Sequence, residues 1–269
     1  MSQWTTVRIG PAPHIAVDHM GTGDLVVFLH GIGGNKRNWV DNLPAFAAHW
    51  HAVAWDARGY GESDDYEGPL TFTDFSHDVA RVLDHFGAKK AHIVGLSMGG
   101  RIAQDFAALY PDRLLSLTLC DTHMGFSNFS DEKRREFIRL RKEPLLNGGE
   151  PKDIAGPVAK TLVGPNASKE SFDALVDSMS RLHKESYIKT IEASAMAGVH
   201  GKPADIRVPT HVIVGGEDRL TTPAMCRELA DLIPGARFTL IPDAGHLVNI
   251  EKPAEFNAAA IAFIRQVGN

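Results

Sequence analysis

Apolar residues are distributed along this chain in two alternating styles. Leu25-Val26-Val27-Phe28-Leu29, the segment His51 to Trp55, Ile93-Val94 with Leu96, and Leu114-Leu115-Ser116-Leu117-Thr118-Leu119 are short apolar runs. Such runs mark strands covered on both faces. Between them the period lengthens to that of a helix. Thr73 through Phe86 sets Phe75, Val79, Val82, Leu83 and Phe86 on one face, with Asp74 in the first turn and Gly87 as the stop. A helix is also expected from Trp39 to Ala48, and another carries Ile102, Phe106, Ala107 and Tyr110 up to Pro111. Two short strands are expected at 3–9 and 14–19, around the turn Gly10-Pro11-Ala12-Pro13. Strand alternating with helix predicts a parallel sheet joined by right-handed crossovers.

The alternation stops near Met124. Helical patterns alone follow, at Asp131–Leu146, Ile154–Val163, Ser168–Leu182 and Lys184–Ala197. Strand character returns at Thr210-His211-Val212-Ile213-Val214 and at Ala236–Ile241, and a last helix covers Pro253–Val267. The expectation is an α/β core made of residues 1–123 and 204–269. A helical insertion, 124–203, lies between two strands of its one sheet.

One junction between strand and helix is Gly95-Leu96-Ser97-Met98-Gly99. A strand that turns directly into a helix forces the central residue into a strained conformation and holds its hydroxyl clear of the sheet. Glycines are needed on both sides because a Cβ there would meet the neighbouring strand and helix. Ser97 would also stand at a helix N-terminus, where free N–H groups favour negative charge. The plainer reading is a glycine-rich turn with a bystander serine.

A serine hydroxyl is a poor nucleophile without a base, and the base needs a carboxylate to orient it. The chain holds thirteen histidines, so position must select among them. His246, in Asp243-Ala244-Gly245-His246, follows the last predicted strand, at the edge where open α/β sheets hold their ligands. His30 sits inside the loop His30-Gly31-Ile32-Gly33-Gly34-Asn35, where bracing the backbone is the simpler role. His123, His183 and His200 are read as surface or core residues. The acid candidate is Asp218, just past the preceding strand, with Glu217 and Asp121 as rivals. For Asp121 a helix cap or hinge contact is the plainer role. Donors for a developing oxyanion would be the backbone N–H groups of Met98 and Ile32, each able to contribute about 3 kcal/mol. A phosphate-cradling role for the glycine loop fails because no Gly-Lys-Ser/Thr follows it. Asp56-x-Arg58-Gly59-x-Gly61-x-Ser63 reads as a loop fastener.

Composition narrows the partners. At 269 residues, 43% hydrophobic, 23% charged and a net charge of −5, the chain has no basic face for nucleic acid. The run Lys133-Arg134-Arg135 reads as the solvated side of a helix. Cys120 and Cys226 lack metal-ligand spacing and make no disulfide framework. No signal peptide or bilayer-length apolar run is apparent, so the expected location is cytoplasmic, without a membrane partner.

Taken in order, His30-Gly31-x-Gly33-Gly34, Asp56-x-Arg58-Gly59-x-Gly61-x-Ser63, Gly95-x-Ser97-Met98-Gly99-Gly100, Gly216-x-Asp218 and Gly245-His246 resemble the α/β-hydrolase superfamily over nearly the whole chain. Within it the chain is most similar to the 3-oxoadipate enol-lactonase and carboxylesterase group. That likeness rests on Gly95-Leu96-Ser97-Met98-Gly99-Gly100, Leu119-Cys120-Asp121-Thr122, and the segment Tyr187 to Glu192-Ala193 leading to Asp205-Ile206. The oxyanion loop departs from that group, which often carries Ser where this chain has His30-Gly31.

The resemblance implies a mostly parallel eight-stranded sheet flanked by helices, with the insertion as a cap over the site. It also implies the Ser97, Asp218, His246 triad. The expected substrate is a small carboxylic ester or lactone, cleaved without metal or organic cofactor. Trp39, Met124, Phe126 and Leu247 are candidate pocket walls, and an Arg or Lys of the cap is a candidate for binding a substrate carboxylate. A homodimer is compatible with this reading. Two alternatives stay open. One is a carbon–carbon bond hydrolase of a meta-cleavage-type pathway, although such enzymes often carry an aromatic residue where this chain has Leu247. The other is a non-catalytic ligand receptor on the same fold.

Overall fold

The computed structural model describes residues 4–125, 130–196 and 200–267. Its strands are β1 (Thr5–Ile9), β2 (Ile15–Met20), β3 (Leu25–Leu29), β4 (His51–Trp55), β5 (Ala91–Leu96), β6 (Leu114–Cys120), β7 (Thr210–Gly215) and β8 (Arg237–Ile241). They form one eight-stranded sheet in the order β1-β2-β4-β3-β5-β6-β7-β8. β1 and β2 run antiparallel to their neighbours, and every pair from β4 to β8 is parallel. The apolar runs become the central strands because helices cover both faces. Every residue of β3 and β5 is buried.

Around the sheet lie α1 (Leu43–Ala47), α2 (Phe72–His85), α3 (Met98–Leu109), α8 (Pro223–Leu232), the short α9 (Val248–Glu251) and α10 (Pro253–Val267). α2 begins with a reciprocal cap: Thr71 Oγ1 accepts from the Asp74 N–H while the Asp74 carboxylate accepts from the Thr71 N–H. The helix expected over Trp39–Ala48 is instead split. A 3₁₀ turn covers Lys36–Trp39, closed by Asn35, and α1 starts afresh with Pro44 in its first turn. A proline can begin a helix but cannot continue one, because it lacks the N–H and crowds the preceding turn.

β3 lies between β4 and β5, so the connections leaving it and β5 diverge at their carboxyl ends. This switch point opens a crevice. Among the described residues, four helices inserted between β6 and β7 lie beside it: α4 (Asp131–Leu146), α5 (Pro151–Leu162), α6 (Lys169–Ser180) and α7 (Lys184–Met196). They are tied to the core at their inner ends. Ser178 Oγ donates to the Gly33 carbonyl at 3.1 Å, and the His246 N–H donates to the Leu162 carbonyl at 2.8 Å. No helix among the described residues is long and apolar enough to cross a membrane.

Close packing at the end of β5 generates a prediction. A Cβ on Gly99 would stand 2.1 Å from the Leu29 carbonyl oxygen, whereas one on Gly87 would meet nothing within 4 Å. Gly99→Ala is expected to lower the unfolding free energy by more than about 3 kcal/mol. Gly87→Ala, strained only by its φ of +67°, is expected to cost about 1–2 kcal/mol. Urea unfolding of both variants checks this, and equal losses would contradict it.

Candidate active site

The β5–α3 junction places Ser97 at φ 53° and ψ −111°, outside the regions a side chain prefers. The turn is held by its surroundings. The Ser97 N–H donates to the Cys120 carbonyl at 2.8 Å, and Thr122 Oγ1 donates to the Ser97 carbonyl at 2.7 Å. A Cβ on Gly95 would lie 2.3 Å from the Gly99 carbonyl oxygen, and one on Gly100 2.6 Å from the Thr122 side chain. The glycines flanking Ser97 are therefore required by the approach of strand, helix and the loop after β6.

Two loops bring the partners. His246, after β8, sets Nε2 2.9 Å from Ser97 Oγ and Nδ1 2.8 Å from Asp218 Oδ2, after β7. Asp218 is a carboxylate that also accepts from the N–H groups of Leu220 and Thr221 and from Thr221 Oγ1, at 2.8, 3.0 and 2.6 Å. Since Asp218 only accepts, Nδ1 of His246 carries the ring proton and Nε2 is free to accept from Ser97. Burial opposes the charge on Asp218. The facing imidazole and the hydrogen bonds from His246 and Thr221 outweigh it and hold the carboxyl below its usual range. Burial likewise pushes His246 down, but the charge and hydrogen bond of Asp218, with Asp121 adding to them, hold it above its usual value. Such a chain can draw a proton from a hydroxyl and return it to a leaving group.

The rivals sit differently. Glu217 is exposed, its backbone tied to Ala244. Asp121 is fully buried, and burial, then the charge of Asp218, push its carboxyl well above the usual range. Its oxygens accept from the N–H of Gly215 at 2.8 Å and of Val248 at 3.1 Å. Asp121 thus joins the loop entering Asp218 to the loop leaving His246, a double role wider than a hinge contact. His183 and His200 pair with Asp65 and Asp105. His30 Nε2 accepts from the Ala57 N–H at 3.1 Å, so its Nδ1–H donates to the Gly31 carbonyl at 2.7 Å. Burial keeps this ring neutral, a brace for the glycine loop. The Asp56 carboxylate accepts from the N–H groups of Lys36 and Glu62 and from the buried Lys36 ammonium, while Arg58 binds both oxygens of Asp78. That motif fastens loops.

Ser97 and His246 lie in the wall of a cavity of about 1050 Å³. Buried small-ligand sites run to roughly 300–1,000 Å³, so a compact organic molecule fits. Ile32 and Met98 line it beside Ser97, and the ideal Cβ position of Gly31 is 3.3 Å from Ser97 Cβ. Leu247 lines it too, together with Leu162, Leu175 and Met179 of the inserted helices. Trp39, expected as a pocket wall, does not. It is fully buried in the core, its ring 5.0 Å from Phe28 and 6.0 Å from Phe256, because the 3₁₀ turn directs it behind β3. Met124 packs on the core rather than on the cavity, where its neighbour His123 stands instead. Phe126 and the side chain of Lys133 lie outside the described residues. Thr221, His123, Tyr187 and Arg101 were not anticipated in the site. Only Thr221, three residues after Asp218, left a local sign, the Asp-x-x-Thr spacing of a loop that bonds to its own carboxylate.

Fold and site together define a hydrolase of α/β architecture. The chain belongs to the α/β-hydrolase fold family, whose model matches residues 24–253. It is 31% identical over 263 residues to BpoC from Mycobacterium tuberculosis, a protein named for non-heme bromoperoxidase. That match covers 94% of this chain and 98% of BpoC. Among solved structures it is similar to a thermophilic esterase from Thermogutta terrifontis described with malate bound, at 28% identity, TM-score 0.88 and 100% of both chains. It is also similar to the enol-lactonase from Burkholderia xenovorans LB400, at 25% identity and TM-score 0.87, covering 97% of this chain and 100% of that one.

The double acceptor at Asp121 is testable through stability. Asp121→Ala leaves the Gly215 and Val248 N–H groups buried without their acceptors, at a cost of about 1–3 kcal/mol each. Asp121→Asn keeps one acceptor and is expected to lose about half as much. Chemical unfolding at neutral pH measures both, and an alanine variant as stable as the parent would contradict the assignment.

Proposed function

We propose that this chain is a serine hydrolase that cleaves a small carboxylic ester or lactone through an acyl-enzyme on Ser97. The observation that carries the proposal is the unbroken hydrogen-bonded chain Ser97–His246–Asp218 in the wall of a largely apolar cavity. Two of the three similar proteins are named as an esterase and an enol-lactonase, which supports the same reaction class.

His246 Nε2 takes the Ser97 proton as Oγ attacks the carbonyl carbon. Asp218, ionised, stabilises the imidazolium that forms. The neighbouring Asp121 carboxyl is pushed up by its surroundings while that of Asp218 is held down, a separation that supports Asp218 as the charge bearer. The N–H groups of Ile32 and Met98 hold the oxyanion. Collapse breaks the carbonyl–oxygen bond, and His246 protonates the departing alkoxide, which in a lactone stays attached to the acyl chain. Water then gives its proton to His246 and attacks the acyl-enzyme. The carboxylic acid leaves and Ser97 recovers its proton. The helices α4 to α7 act as the cap that shapes the acyl pocket.

Steady-state hydrolysis of p-nitrophenyl butyrate tests this directly. Ser97→Ala is expected to lose turnover by about 10³-fold or more. Equal rates in parent and variant would remove Ser97 as the nucleophile. The pH profile carries a second expectation. Because Asp218 holds His246 above its ordinary 6.5, the rising limb of kcat/KM should lie above that value. In Asp218→Asn only burial remains as the dominant influence, so the limb should move to lower pH. Its rate should fall by on the order of 10³–10⁴-fold. A limb that stays in place would contradict the pairing.

A further inference from the structure

The last carbonyls of a helix have no partner within it, and at the end of α5 they are taken up by the loops that carry Asp218 and His246. The His246 N–H donates to the Leu162 carbonyl at 2.8 Å. Arg219, next to Asp218, donates from Nη2 to the Val163 carbonyl at 3.2 Å and to the Lys160 carbonyl at 3.4 Å. Gly164 then faces Gly245. A Cβ on Gly245 would stand 2.3 Å from the Gly164 nitrogen, and one on Gly164 2.8 Å from the Gly245 nitrogen. One atom accepts from both of these amides: Glu251 Oε2 takes the Gly164 N–H at 2.9 Å and the Gly245 N–H at 3.1 Å.

Glu251 reaches these amides from a fixed element. It closes α9, and the residues before it are tied to the core. The Val248 N–H donates to Asp121 Oδ2 at 3.1 Å, and Asn249 Nδ2 donates to the Asn38 carbonyl at 2.9 Å. The Glu251 N–H itself donates to the Leu247 carbonyl at 2.9 Å. Its second oxygen, Oε1, is buried and has no hydrogen-bond partner among the described residues. Burial pushes the carboxyl above its usual range, against the hydrogen bonds from Gly245 and Gly164. Leaving one oxygen unpartnered is unfavourable, so what Glu251 contributes at this place comes from the two amides held by Oε2. Glu251 is not among the residues that line the Ser97 cavity. Its influence on the site runs through the backbone that leads into His246.

We infer that Glu251 is a positioning residue for His246, coupling the seat of the inserted helices to the alignment of the imidazole between Ser97 and Asp218. This inference rests on the hydrolase reading above. The ring has to meet Ser97 Oγ with Nε2 and Asp218 Oδ2 with Nδ1 at once, at 2.9 and 2.8 Å. The two successive N–H groups that lead into it are both committed, Gly245 to Glu251 and His246 to Leu162. Without the Glu251 oxygen, Gly245 and Gly164 lose their shared acceptor, and only the Leu162 bond still ties the His246 backbone to α5. Because the coupling reaches the base rather than the pocket wall, it acts on every substrate alike, whatever the length of its acyl chain.

The test measures turnover of p-nitrophenyl acetate and p-nitrophenyl hexanoate by the parent, Glu251→Ala and Glu251→Gln. Glu251→Ala is expected to lower kcat by about 10–100-fold, the scale set by a reacting group misplaced by about 1 Å. KM should stay within about 3-fold of the parent, and the loss in kcat should be alike for the two esters. Glu251→Gln is expected to remain within about 3-fold of the parent, since its one carbonyl oxygen can accept from both amides. Its NH₂ takes the place of the unpartnered Oε1. Unchanged kcat in a folded Glu251→Ala, a glutamine variant as slow as the alanine variant, or a loss confined to hexanoate would each overturn the inference. Glu251→Asp, too short to reach both amides, carries the same expectation where the alanine variant does not fold. A readout independent of turnover separates this outcome from failure of the hydrolase reading. The downfield proton resonance of the His246 Nδ1–H, identified by its loss in His246→Ala, should be retained in Glu251→Gln and should broaden or move upfield in Glu251→Ala. A resonance unchanged in Glu251→Ala would overturn the positioning role whatever the chemistry at Ser97.

Discussion

The strained backbone at Ser97 is the constraint on which the rest of the site depends. A serine at φ 53° and ψ −111° costs on the order of 1–3 kcal/mol and persists only where the surroundings over-determine it. Here β5 enters from a sheet in which it is paired on both sides, and α3 leaves at once with its first turn pressed on β3. Thr122, from the loop after β6, grips the Ser97 carbonyl. The turn cannot relax without pulling on three strands. Its consequence is a hydroxyl held at the mouth of the switch-point crevice, where loops from four strands can reach it.

The carboxyl ends of β6, β7 and β8 supply Asp121, Asp218 and His246, and the charges there are arranged by rank rather than merely gathered. Asp218 collects donors from its own loop and from the imidazole, so its carboxyl stays ionised. Asp121 is hemmed in by burial and by that same negative charge. Two nearby carboxyls with separated environments can hold one base in a single tautomer without competing for its proton. Because Asp121 also binds both the Gly215 and Val248 amides, the electrostatic order and the mechanical order are carried by the same side chain. The inserted helices complete the enclosure by closing on the loops, through Leu162 onto His246 and Ser178 onto Gly33, rather than on the sheet.

Much of this was legible in the amino-acid sequence because it rests on local rules. β3 and β4 begin and end where their apolar runs do, and α4 and α10 match their helical periods, since pattern and burial coincide there. Ser97, Asp218 and His246 could be selected because each follows a strand at the same edge. What was not legible depends on direction in three dimensions. Trp39 lies near the glycine loop in the chain, yet a broken helix turns it into the core. Asp121 reads as one acid among several until the loops it joins are seen together. Arg141 is one cation in a charge-rich helix, and its stacking on the Phe137 ring in the cavity wall is seen only in three dimensions. Its inward phase with Phe137 and Leu145 is the one signal the chain carried.

In the proposed mechanism His246 activates Ser97 and no other hydroxyl. Reaction with a fluorophosphonate, followed by intact mass and peptide mapping, measures this most directly, because the probe needs an activated nucleophile but no particular acyl group. A single adduct is expected, located on Ser97, forming at least about 10³-fold more slowly in His246→Ala. An adduct at another residue, or an unchanged rate in His246→Ala, would contradict it.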